Sequence, residues 1–212
     1  MASEDSDWFR SREWSEESQQ DFEARLARAR AHNRPQYMRI KGLALAEAGK
    51  VEVARGLWRR VLEDGSGCDF ERASALEHLG DSYASSDPKT AEAFYRQLLA
   101  EHPGMNGTTH TVEISLAELL LDRKDTASVD EAVVFLRAWA EKRDSPFPHT
   151  TFRWHLALIR AAELVGDVET VRKSARTALE LAEMGPVFPR HGDVGVVRAD
   201  RKTLKRLRML AR

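Results

Sequence analysis

Cysteine is nearly absent from this chain of 212 residues, where Cys68 stands alone. That excludes an internal disulfide and a zinc site built from several cysteines. No stretch approaches the ~18 apolar residues of a membrane-spanning helix. Residues 1–7 lack the basic start and apolar core of a secretory leader, so the expected location is cytoplasmic, with no membrane contact. Net charge is almost missing too: −1 overall, which argues against a generally basic nucleic-acid binder. The strict apolar–polar alternation of a strand is not found. Neither is a glycine-rich phosphate loop, a dinucleotide-binding glycine triplet, a G-x-S-x-G elbow or an H-E-x-x-H pair. The seven histidines (His32, His78, His102, His110, His149, His155 and His191) show no metal-ligand spacing, and Cys68 has no evident base beside it. The expectation is a protein that is not an enzyme and carries no metal or cofactor.

What the chain does have is 42% hydrophobic residues at helical spacing, broken at short intervals by Gly, Pro, Asp and Ser. The pattern predicts helices over 16–32, 35–48, 51–63, 70–85, 88–101, 108–123, 128–142, 149–165, 168–184 and 200–211. Asp87 before Pro88, Asp167 after Gly166, and Asp200 read as N-caps. Gly49 and Gly166 sit where a chain leaves one helix for the next, a place that favours positive φ. Thr108 or Thr109 is the expected cap of the sixth helix, whose start is also a possible anion site. Short connections make sequential helices antiparallel neighbours.

Helix pairs recur. Gly42, Gly80 and Ala117 fall 38 and 37 residues apart, each followed three residues later by Leu45, Tyr83 or Leu120. Ala54, Ala91 and Ala132 mark the second helices, with Trp58, Tyr95 and Leu136 four residues on. Two helices approach closely only where one side chain is very small, and one pair alone cannot bury both its faces. This pattern resembles the tetratricopeptide repeat family, best at Leu76, Leu79, Gly80, Tyr83, Ala91, Tyr95 and Pro103. The first unit departs from it at Lys41, where the family has leucine, and lacks the closing proline. The whole chain is similar in this respect to uncharacterised bacterial proteins of that family. The resemblance implies an all-α solenoid of antiparallel helix pairs in a right-handed superhelix, with capping helices at both ends. Its segments are an acidic tail (1–15), a repeat domain (16–184, units about 35–66, 70–103, 108–142 and 149–184), then a loop and basic C-terminal helix (185–212).

The resemblance also implies a function, that of a protein–protein interaction module, an adaptor or scaffold. First helices of the pairs would line a concave groove for a partner peptide or helix. Carried over by position, its wall includes Arg39, Leu43, Glu77, Asp81, Glu118, Arg153 and Arg160. The plainer reading makes these ordinary solvated surface residues. The chain's ends differ in charge. Residues 1–24 hold two Arg against eight acids, whereas 185–212 hold eight Arg or Lys against two acids. A second reading therefore lets Arg201, Lys202, Lys205, Arg206 and Arg208 bind nucleic acid or another polyanion. A third pairs the acidic and basic ends, in one chain or in a homo-oligomer. Trp8, Phe9 and Trp14 would serve as interface anchors or tuck against the chain's own first helices.

Overall fold

Leucine and alanine at three- and four-residue spacing, punctuated by cap residues, give ten α-helices in a computed structural model that describes residues 7–66, 69–142, 147–188 and 190–212. Cys68 and Pro146 lie outside the described residues. The helices are α1 (Glu16–Arg28), α2 (Arg34–Glu47), α3 (Val51–Glu63), α4 (Asp69–Tyr83), α5 (Pro88–Glu101), α6 (Val112–Arg123), α7 (Thr126–Lys142), α8 (Pro148–Val165), α9 (Val168–Glu183) and α10 (Arg201–Leu210). No strand occurs among the described residues; Phe188 and His191 form an isolated bridge.

The caps behave as aspartate and glycine dictate. Asp87, Asp167 and Asp200 each accept the backbone N–H three residues on, from Thr90, Thr170 and Thr203. These bonds hold all three carboxyls below the usual aspartate range. Gly49 (φ 78°) and Gly166 (φ 76°) end α2 and α8 alike: the N–H of the following residue returns to the carbonyl of Leu45 or Ala162 at 2.9 Å.

Two helix boundaries differ from the pattern by four residues, the others by two at most. α1 stops at Arg28 rather than 32, because Arg34 donates to the carbonyls of Ala27 and Ala29 and the chain turns extended at Ala29. α6 starts at Val112 rather than 108. Thr108 and Thr109 do not cap it, and the preceding residue, Thr111, makes no side-chain cap bond. The Thr108 hydroxyl donates to Met105 O, and Thr109 is bound to Glu77.

The chain divides into two compact units, one ending at Thr109 and one starting at His110. In the first, α2 pairs with α3 and α4 with α5; α3 and α2 both touch α4. Leu45, Ala54, Leu57, Trp58, Val61 and Leu79 form its core, joined by Phe22 and Leu26 of α1. Gly42 and Gly80 permit the close approach. A methyl on Gly42 would stand 2.9 Å from Trp58 Cδ1, and one on Gly80 2.5 Å from Tyr95 Cδ1. Tyr95 thus lies on Gly80, whereas half-buried Tyr83 stacks on Phe94 and carries the Arg55 guanidinium 3.6 Å above its ring.

In the second unit α6 pairs with α7, α8 with α9, and α8 also meets α6 and α7. Phe152, Ile159, Ala162, Val171, Ala175 and Ala178 form a core that Leu207 of α10 joins. Burying that leucine contributes about 1.5–3 kcal/mol to holding α10 in place. The long connection before α10 is pinned at Gly195, whose carbonyl accepts from His149 N at 3.2 Å.

Candidate functional site

The first helix of each pair is crossed by complementary charges. In the first unit Arg39 of α2 donates to Glu71 of α4 at 2.5 Å, with side chains only 15% and 7% exposed. Leu43 packs against the core beside it. Glu77 is buried; its carboxylate accepts the Thr109 N–H at 3.0 Å and the Thr109 hydroxyl at 2.6 Å. The anion at the 105–110 turn is therefore supplied by the chain itself. A buried carboxylate is tolerable only when so satisfied. Expected on the groove wall, Glu77 instead ties α4 to the 102–109 turn, with Ser74 donating to Gly107 O nearby. Asp81 is exposed and accepts the Tyr95 hydroxyl at 2.6 Å.

In the second unit the Arg153 guanidinium of α8 grips both oxygens of Glu118 on α6, at 2.6 and 3.1 Å, and donates to Ser115 Oγ at 2.9 Å. Two turns on, Arg160 meets Asp122 at 2.5 Å. Beneath them Lys142 pairs with the buried Glu113, and the Trp139 and Trp154 rings stack at 5.9 Å. Six of the seven expected wall residues, all but Leu43, thus have charged partners or fixed acceptor roles. Glu71, the partner of Arg39, was missed by sequence reasoning. The signal was present in the spacing, since these pairs join residues 32, 35 and 38 apart, close to the repeat length.

The aromatic residues near the N-terminus lie on their own unit. Trp8 packs on Phe22 and Tyr37, Phe9 on Tyr37, and Trp14 on Phe22. Lys41 fastens the 11–14 strap. It is 2% exposed, donates to Ser11 O at 2.7 Å and Glu13 O at 3.0 Å, and lies 5.4 Å from the Trp14 ring centre. Burial lowers its pKa, partly offset by Glu13. Lys50 donates to Arg12 O at 3.0 Å, and Arg12 pairs with Glu47. The position where the repeat pattern loses its leucine is thus where the strap is clamped.

On α10, Arg206 is committed to Glu163 of α8, and Leu207 faces α9. Arg201, Lys202, Lys205 and Arg208 are exposed and make no ion pair among the described residues. Arg201, Lys205, Arg208 and Arg212 follow a 4-3-4 spacing, which puts them in one stripe.

Burial lowers the pKa of His78 and His155 to about 4, with Arg39 adding to the effect at His78. Both imidazoles are neutral at pH 7. Among the described residues, no three His, Cys, Asp or Glu side chains cluster to hold a metal ion, and no helix is long and apolar enough to cross a membrane. Comparison of the chain with family models, curated proteins and solved structures finds no match.

Proposed function

We propose that the chain is a protein-binding helical-repeat module of tetratricopeptide type, acting as an adaptor or scaffold. The observation that carries this reading is the contact between first helices of successive pairs, α2 with α4 and α6 with α8, made by charges one repeat apart. Stacked helix pairs require such contact, because each pair leaves one face to be covered by the next. In this reading α1 and α10 act as caps for the first and last pairs. The first-helix faces present mixed charge: Asp81 in the first unit, and Asp122 with Arg160 in the second. They suit a polar peptide or helix held by rim contacts more than by one deep pocket.

The test is quantitative capture from source-cell lysate with the full chain as bait. Asp122→Lys and Asp81→Asn keep the core intact, since both residues are exposed. Together they should lower retention of a stoichiometric partner roughly five-fold or more while helicity stays unchanged. Equal retention by the variant and the wild type defeats the reading.

A further inference from the structure

Arg39, Arg60, Arg72, Arg153 and Arg160 all find carboxylates. Arg172 and Lys173 on α9, and Arg201, Lys202, Lys205, Arg208 and Arg212 at the C-terminal end, have none among the described residues. The same region holds exposed apolar residues. Leu164, Val165 and Val168, at the α8–α9 turn, are 43%, 60% and 64% exposed, and Met209 on the last turn of α10 is 58% exposed. Val168 and Met209 line a cleft of about 400 Å³ floored by Ala162, Val171 and Leu210. Its charged rim holds Glu163, Asp167, Arg172 and Arg212. Glu163 is neutralised by Arg206, and Asp167 is engaged in capping α9. Glu169 is the other acid on this end of α9. Asp167 stays ionised as a cap, so with Glu163 paired to Arg206 the two arginines leave the rim one positive charge in excess.

An apolar hollow with a polar rim marks a contact site, and its sign of charge selects the partner. We propose that this cleft binds an acidic peptide segment of a partner protein. One bulky aliphatic or aromatic side chain seats between Val168 and Met209, and neighbouring carboxylates lie along Arg172, Arg212 and Arg208. A nucleic-acid duplex satisfies the cations but offers the apolar cleft no side chain. An anionic bilayer offers both charge and hydrocarbon, but a flat surface does not fill a hollow. The site uses none of the candidate groove residues Arg39, Leu43, Glu77, Asp81, Glu118, Arg153 and Arg160, so it stands apart from the reading above.

The experiment selects a random peptide display library on the full chain and measures the enriched peptides by fluorescence anisotropy. The enriched sequences should be net acidic with at least one Leu, Ile, Phe or Trp. Met209→Lys and Val168→Lys should each weaken binding about ten-fold, as removal of a buried anchor contact does. Arg172→Glu with Arg212→Glu should do the same, and added salt should weaken the wild type. Asp81→Asn and Asp122→Lys should leave the peptide affinity unchanged. The proposal is overturned by failure to enrich above the Met209→Lys chain, by neutral or basic consensus sequences, or by peptide affinities indifferent to these substitutions. Tighter binding to duplex DNA or phosphatidylserine vesicles, equal in wild type and Met209→Lys, overturns it too.

Discussion

A methyl group on Gly80 would stand 2.5 Å from Cδ1 of Tyr95, a ring that is 1% exposed and tethered by its hydroxyl to Asp81. The ring cannot swing aside without losing that bond and its packing. Gly56, inside α3, has nothing within 4 Å of its notional methyl beyond its chain neighbours and the backbone of its own helix. The two glycines therefore separate packing from propensity. Alanine in a helix interior gains up to about 1 kcal/mol over glycine, while overpacking a filled site costs about 1–3 kcal/mol. Gly56→Ala should raise the urea midpoint by the equivalent of about 0.5–1 kcal/mol, and Gly80→Ala should lower it by about 1–2 kcal/mol. Two shifts of the same sign would show that the Gly80–Tyr95 contact does not limit the second hairpin.

At the scale of the element, the strap before α1 depends on one side chain. The Lys41 ammonium is shared between two backbone carbonyls, and its burial is offset by those bonds and the Trp14 and Phe22 rings. Lys41→Met keeps the volume and the apolar stem but leaves the carbonyls of Ser11 and Glu13 without this donor. Trypsin should then cleave after Arg10 and Arg12 roughly ten-fold faster, by local opening of about 1.4 kcal/mol. Cleavage at the wild-type rate would mean that Trp8, Phe9 and Trp14 suffice to hold the strap. Lys41 also shows what a sequence pattern conveys. Most of the helices were legible because Gly, Pro, Asp or Ser, whose local chemistry stops or starts a helix, stands at one end or the other. The ends of α1 and α6 were not legible, because they are set from a distance, by the Arg34 side chain and the Glu77 carboxylate. Lys41 broke the repeat pattern visibly, but its partners are carbonyls 28 and 30 residues away. No residue type near them announces that role.

Across the molecule, the candidate wall residues were found by position in the repeat, yet their pairing was not, since it depends on how successive first helices lie against each other. The two imidazoles whose pKa burial lowers, one in each unit, were equally hidden in the sequence. His78 faces Trp58 at 5.3 Å, and His155 meets Trp154 at 4.8 Å; His78 Nε2 and His155 Nδ1 have no hydrogen-bond partner among the described residues. Both have folded pKa values of about 4, below the ordinary 6.5. Between those values the unfolded chain binds protons that the folded chain refuses. Stability is therefore fully present above pH 6.5 and falls as pH drops toward 4. For His78 the loss between pH 7 and pH 5 amounts to about 2 kcal/mol; His155, less enclosed, adds about half of that. Asp87, Asp125, Asp167, Asp200 and Glu101 have lowered pKa values, so their contributions are lost only at more acid pH. The pH 7 to pH 5 window thus isolates the histidines. Urea unfolding at the two pH values should show a markedly smaller acid loss in the His78→Leu, His155→Leu double variant than in the wild type, each single variant removing its own share. An acid loss of the same size in the double variant would assign it to other groups.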